Sequence, residues 1–354
     1  MTHADLREIA IAGRKIGPAH PPYVIAEISA NHNGNLDAAL ALIDVAAAAG
    51  ASAVKIQTYR ADTITLNSAR PEFQITEGLW AGTSLYALYE KAHTPWEWHP
   101  ALFARAKARG ITMFSSPFDA TAIDLLEDLG TPAYKIASFE AVDLALIRYA
   151  ASTGKPMIIS TGMADGEEIA EAVQAARDGG CRALALLHCV SGYPAPAADY
   201  NLRILADMQA RFGCVTGLSD HTLDNTTAIA AVALGAAIVE KHFTLDRNGG
   251  GPDDSFSLEP ADLAALVSGT RTAWDAMGTV DYGRKSSERG NVVFRRSLYF
   301  VKDLAAGDVI TPDALRSVRP GYGAAPKHLD AILGRQVKVA VQAETPVRLD
   351  DIVL

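Results

Sequence analysis

Basic charge is in short supply: 32 Lys and Arg stand against 41 Asp and Glu, a formal net charge of −9. A nucleic-acid binder needs a basic stripe to neutralise phosphates, so that class of partner is disfavoured, although a few local lysines suffice for one small phosphate. Cysteine is scarce and odd in number. Cys181, Cys189 and Cys214 all stand in apolar contexts and read as small buried hydrophobes in a reducing cytoplasm. Long apolar runs are missing: the longest, Ala228 to Val239, is too short to span a bilayer, so no membrane partner is expected. The stretch Met1 to Gly17 carries Asp5, Arg7, Glu8 and Arg14 without an apolar h-region, so no secretory signal is expected there. No glycine-rich dinucleotide loop follows the first predicted strand, which counts against a doubly wound open sheet.

What is present is a rhythm. Short β-rich runs at Tyr23 to Ser29, Ala53 to Thr58, Ile111 to Ser115, Ala133 to Ala137, Pro156 to Ser160, Ala183 to His188, Val215 to Leu218 and Ala237 to Lys241 each precede a segment of helical periodicity. Eight strand–helix pairs predict a (β/α)8 TIM barrel over residues 1–277. The rhythm breaks once, after the second strand, in a long excursion carrying Trp80, Tyr86 and Tyr89; insertions of that length are usually functional. A polar stretch, 278–290, reads as a linker. Residues 291–354 form a small second domain with β-like runs at Ser297 to Val301 and Gln336 to Ala340. At that size it sits near the lower limit for an autonomous core, and docking on the barrel or a partner is expected.

Chemistry in such a barrel sits at the C-terminal ends of strands, and polar residues gather there. The last two strands lead into His221 and His242, 21 residues apart, one βα unit. Two imidazoles suit a catalytic transition metal with positions left open for substrate oxygens. Lys55 and Lys135 interrupt apolar strands. A buried ammonium needs an anion, either Glu27 or Glu140 in a structural ion pair or a bound ligand. The hydroxyls of Ser116, Ser138, Ser160 and Ser219 at the same level suit a phosphate and a carboxylate. Gly249 to Asp253 reads as a flexible loop that either brings Asp253 onto a substrate hydroxyl or simply turns the chain.

The segments AEISANHNG (from Ala26), VKIQTY (from Val54), SSPFD (from Ser115), YKIAS (from Tyr134), STGM (from Ser160), GLSDHT (from Gly217), EKHFTLDR (from Glu240) and RPGYG (from Arg319) together resemble the sialic acid synthase family. The resemblance implies a (β/α)8 barrel followed by an antifreeze-like SAF domain, in a homodimer whose C-terminal domains are swapped. It also implies an enzyme, a transferase condensing phosphoenolpyruvate with an N-acylated amino sugar, with a divalent metal: Mn first, Mg or Co as alternatives. By the same resemblance His221 and His242 are metal ligands, and Lys55, Ser116, Lys135, Ser138, Ser160 and Ser219 bind phosphoenolpyruvate. Gln57, Tyr193 and Asp253 contact the sugar, Glu27 is the acid–base, and Arg319 enters a neighbouring site. Glu140 is assigned to positioning sugar or water.

Ser191, where N-acetylneuraminate synthases carry an Asn, and the aromatic excursion look closer to the pseudaminic acid synthase branch. The acceptor of that branch is 2,4-diacetamido-2,4,6-trideoxy-L-altropyranose, and its product goes to flagellin, capsule or lipopolysaccharide. Legionaminic and N-acetylneuraminic acid synthases are the alternatives. Further off stand a metal-dependent pyruvate aldolase, for which phosphate-binding hydroxyls are superfluous, and a non-enzymatic antifreeze-like binder, which needs no polar ring.

Overall fold

The computed structural model describes residues 8–353; positions 1–7, part of the stretch read for a secretory signal, and 354 lie outside the described residues. The chain divides into two compact units, one ending at Gly278 and one beginning at Thr279.

A short hairpin, β1 (Ile9–Ile11) and β2 (Arg14–Ile16), opens the first unit. Eight parallel strands follow: β3 (Tyr23–Glu27), β4 (Ala53–Thr58), β5 (Thr112–Pro117), β6 (Tyr134–Ile136), β7 (Met157–Ser160), β8 (Leu184–Cys189), β9 (Val215–Asp220) and β10 (Ile238–His242). They pair in sequence, and β10 returns to β3 to close a barrel. The helices between them start on side-chain caps where the sequence offers them: Asn35, Asp119, Asp143 and Asp165 accept from the first-turn amides. Two end on left-handed glycines, Gly110 and Gly213. The fold is the (β/α)8 barrel that the strand rhythm predicts.

Side-chain alternation sorts each strand into two faces. Outward residues such as Ala26, Val54, Ile56, Leu218 and Val239 pack against the helices. Inward residues Ile25, Phe114, Ile158, Leu187 and Ile238 form a separate cluster that also takes in Ile9, Ile11 and Ile16 of the hairpin. The hairpin, made of strands too short to show periodicity in sequence, therefore plugs the N-terminal end of the barrel. Burying each of these aliphatic side chains contributes roughly 1.5–3 kcal/mol. Two residues further along the strands the same inward positions become Glu27, Lys55, Ser116, Lys135, Ser160, Ser219 and Glu240, all buried. An apolar floor thus carries a polar layer.

The excursion after β4 contains a helix, Leu85–Ala92, capped by Ser84. It is tied back by Trp96 Nε1 donating to Tyr59 O at 3.2 Å, by Thr94 Oγ1 facing His32 Nε2 at 3.3 Å, and by Trp80 Nε1 donating to Pro252 O at 2.9 Å.

The second unit is built on an antiparallel pair, β11 (Ser297–Phe300) and β12 (Leu315–Val318), around Leu298, Phe300, Ile310, Ile332, Val337 and Val347. The β-like run at Gln336 to Ala340 does not form a strand. It makes isolated bridges from Gln336 and Val337 only, because Val337 alone is buried there and Gln336 and Lys338 face solvent.

Candidate functional site

His242 ends β10 and His221 follows β9 by one residue; their ring centroids are 5.5 Å apart. His221 Nδ1 faces Val190 O at 2.7 Å and must donate to it, which leaves the Nε2 lone pair free. Burial lowers the His221 pKa to about 4 and drives that of His242 well below its ordinary value. Both rings are therefore neutral near pH 7, the form a metal needs. His242 Nδ1 is buried without a hydrogen-bond partner, and the nearest carboxylate oxygen, Asp253 Oδ2, is 4.0 Å away. An orphaned imidazole nitrogen beside a second neutral imidazole fits a borderline divalent cation. Among the described residues no group of three or more His, Cys, Asp or Glu is arranged to hold one, so a cation held by these two rings would need its other ligands from water or substrate.

The two histidine-bearing strands share an anchor. Lys241 projects away from the barrel interior, is buried, and donates to Asp220 Oδ2 (2.9 Å), Thr222 O (2.7 Å) and Asp224 O (2.8 Å). The Tyr200 hydroxyl accepts from the His221 amide at 2.7 Å. The loop carrying His221 is thus tied to the residue that precedes His242.

Beneath the histidines lie two buried cations and two buried anions. Lys55 pairs with Glu27, and Glu240 stands 3.7 Å from Lys55 and 3.1 Å from Lys135. The partner of Lys135 is therefore Glu240 and not Glu140, which sequence reasoning had weighed; Glu240 sits at the inward position two residues before His242, and that spacing was its available signal. Burial pulls the Lys55 ammonium down, but Glu240 and Glu27 together outweigh it and hold it above its usual range. Burial pushes Glu27 up despite Lys55, while Lys135 and Lys55 overcome burial and hold Glu240 down. The four charges sum to zero, and both lysines reach the cavity wall.

Lys55, Lys135, Glu240, Ser219 and both histidines line a cavity of about 490 Å³, together with Gln57, Ser138, Glu140, Tyr193 and Asp253. Glu27, Ser116, Ser160 and Ser191 are not on its wall. Ser116 Oγ accepts from Lys55 at 3.2 Å, Ser191 donates to Ser138 Oγ at 2.9 Å, and Ser160 Oγ is buried with no partner. Arg319 is an exposed residue of the second unit. Cys189, expected in apolar surroundings, instead faces Ser191 Oγ at 3.9 Å, because it occupies an inward position of β8 at the polar level.

Two carboxyls on the wall titrate high. Burial lifts Glu140 to about 7, against the pull of Lys135, and its Oε2 is unpartnered. Burial likewise lifts Asp253 to about 6, against the hydrogen bond from Ser29. The glycine loop before Asp253 is not slack. The Asp254 carboxylate accepts from Gly251 N (2.8 Å), Asn33 Nδ2 (3.0 Å) and Thr244 Oγ1 (2.5 Å). A Cβ on Gly251 would lie 1.8 Å from Asn33 Oδ1, so close approach of backbone to side chain requires the glycine.

Known proteins resemble this chain over most of its length. A pseudaminic acid synthase of Campylobacter jejuni is 41% identical over 320 residues, 90% of this chain and 93% of its own. One of Helicobacter pylori is 40% identical over 334 residues, 94% and 98%. The crystal structure of an N-acetylneuraminic acid synthetase from Leptospira borgpetersenii superposes with a TM-score of 0.73 at 32% identity, covering 82% of this chain and 96% of that one. The SAF domain model matches residues 295–353. The NeuB family model matches residues 42–282, and the chain belongs to that family.

Proposed function

We propose that this chain is a pseudaminic acid synthase, condensing phosphoenolpyruvate with 2,4-diacetamido-2,4,6-trideoxy-L-altropyranose to give pseudaminic acid and phosphate. The observation that carries the reading is the neutral quartet of Glu27, Lys55, Glu240 and Lys135 below two neutral histidines. Two lysines held by replaceable carboxylates form a receptor for a trianionic donor, and an aldolase working on pyruvate has no use for it. The relatives at about 40% identity favour the altro-configured acceptor over the N-acetylneuraminate precursor.

His221 and His242 would hold a divalent cation, Mn²⁺ with Mg²⁺ and Co²⁺ as alternatives, which when bound supplies Lewis-acid polarisation of the acceptor's aldehyde. The chain's own residues do the rest. Lys55, Lys135 and the hydroxyls of Ser116, Ser138, Ser160 and Ser219 bind the phosphate and carboxylate of the donor, and the unpartnered Ser160 hydroxyl is a donor in waiting. Gln57, Tyr193, Asp253 and Glu140 orient the open-chain sugar, and Ser191 acts on it through Ser138, to which it donates. C3 of the donor bonds to the aldehyde carbon as the C=O π pair moves onto the aldehyde oxygen, which takes a proton and becomes a hydroxyl; this leaves positive charge at C2, where water adds. As Lys55 turns to the phosphate, Glu27 loses its cation; a buried carboxylate so freed is a stronger base and takes the proton of that water. The tetrahedral C2 then releases phosphate by C–O cleavage.

The second unit completes the site in this reading, as the swapped domain of a second copy bringing Arg319. Charge supports it: residues 279–354 carry 12 Lys and Arg against 9 Asp and Glu, and the rest of the chain 20 against 32. A positive small domain suits a negative barrel. The reaction is assigned to the cytoplasm, where the three free thiols are stable.

The test is phosphate release from phosphoenolpyruvate with Mn²⁺ and each of three acceptors: the altro-configured diacetamido sugar, its legionaminic counterpart and N-acetylmannosamine. Chelator-sensitive turnover with the first alone is expected. Turnover with N-acetylmannosamine alone would overturn the assignment of acceptor and leave the donor chemistry intact.

A further inference from the structure

The helix Leu85–Ala92 repeats apolar residues at i, i+3, i+4 and i+7, namely Leu85, Leu88, Tyr89 and Ala92. Such a stripe normally seats on a core. Here none of its residues is buried; all four instead line the cavity, joined by Ile75 and Trp80 from the chain before the helix. The stripe therefore faces the cavity, with Tyr89 also set edge-on to Tyr59 at 5.7 Å.

The chemistry of this wall is one-sided. The charged residues of the segment, Arg70, Glu72, Glu77, Glu90 and Lys91, are exposed and none reaches the cavity. The Trp80 Nε1–H is already given to Pro252 O at 2.9 Å, and that bond pins the segment to the loop carrying Asp253. The Trp80 ring lies 5.9 Å from that of Tyr193, which in turn stacks 4.4 Å from His221. The same cavity is also lined by Lys55, Lys135, Glu240 and the histidines, and Trp80 is the member of the wall that stands nearest them. A sugar whose carbonyl carbon meets the histidines and whose far end meets this helix finds there a largely aliphatic and aromatic surface on which the Tyr89 hydroxyl, near Glu140, is the free polar group. On the aliphatic part of it a hydroxyl would lose its water without replacement, whereas a methyl group would be buried favourably.

We propose that the wall formed by Ile75, Trp80, Leu85, Leu88 and Tyr89 selects acceptors deoxygenated at the end farthest from the reacting carbonyl, in practice at C6. The proposal rests on the reaction proposed above and adds the residues that choose its acceptor. An apolar pocket rejects an added hydroxyl only modestly, so the wild-type preference in kcat/KM should be about 10- to 100-fold.

The experiment compares two acceptors that differ only at C6, 2,4-diacetamido-2,4,6-trideoxy-L-altrose and its 6-hydroxy counterpart, by phosphate release from the full-length enzyme. Leu88→Asn places an amide on the wall and should shrink the preference about tenfold or more, leaving KM for phosphoenolpyruvate unchanged. Leu88→Met should restore it, and Leu85→Gln repeats the test if Leu88→Asn does not fold. Phosphate release with the same preference in wild type, Leu88→Asn and Leu85→Gln overturns the wall alone. No phosphate release with any acceptor overturns the proposed reaction, and the wall with it.

Discussion

Glu240 is the residue on which the buried charges balance. It faces two lysines, at 3.1 and 3.7 Å, with one oxygen, and all the groups are buried. Removing one partner of a buried ion pair leaves an uncompensated charge, a loss of about 3–5 kcal/mol. Glu240→Gln is therefore expected to lower stability in urea unfolding by about 3 kcal/mol. Saturating phosphoenolpyruvate should stabilise the variant more than the wild type, because the anion supplies the missing charge; equal stabilisation of the two would argue that the donor binds elsewhere. Glu140 offers a test by pH. Its pKa is raised to about 7 by burial, so the folded chain holds that proton more tightly than the unfolded one. Its contribution to stability is complete below about 4.5 and is lost as pH rises through about 7. Glu140→Gln, which cannot ionise, should match the wild-type melting temperature near pH 4 and exceed it at pH 8. A variant less stable than wild type at pH 8 would mean that the ionised carboxylate is satisfied.

Among the elements, Lys241 links the two strands that present the histidines. It is buried, with its amine satisfied by Asp220 and the carbonyls of Thr222 and Asp224. Lys241→Met is expected to loosen the loop carrying His221 and weaken Mn²⁺ binding by about 10- to 100-fold, read by calorimetric titration. Unchanged affinity would show that the histidines hold their places without it. The barrel strands were legible in the sequence because each is a short apolar run bounded by turn residues and followed by a helix. The hairpin was not, since Ile9, Ile11 and Ile16 alternate over too few residues to stand out. At the site, the histidines, the lysines and the hydroxyl level could be read because polar residues interrupt apolar strands. Glu240 was hidden by its neighbour: His242 drew attention, and facing direction decides which of three consecutive polar residues enters the barrel. The glycine loop misled in the opposite sense, because its stiffness comes from Asn33 and Asp254, contacts invisible to composition.

For the whole molecule, the excess of positive charge in residues 279–354 over a negative remainder supports a site completed by a second copy. A chain ending at Gly278 should fold, since the barrel has its own cores, yet turn over at least tenfold more slowly, the scale on which lost charge stabilisation is felt. Adding a full-length chain disabled by Lys135→Met should restore part of the rate if that chain lends Arg319. A truncated chain as active as the whole would contradict the swapped arrangement.

The claim on which the account depends is that the donor gives up its phosphate by breaking the bond between C2 and the bridging oxygen. Phosphoenolpyruvate carrying ¹⁸O at that bridge decides the matter, with both products analysed by mass spectrometry after turnover with the altro-configured acceptor. The account predicts the label in inorganic phosphate and none in the nonulosonic acid. Label retained in the organic product would mean cleavage at phosphorus, as in prior hydrolysis to pyruvate followed by aldol addition, and would contradict the reading of the lysine quartet as a receptor for the intact donor.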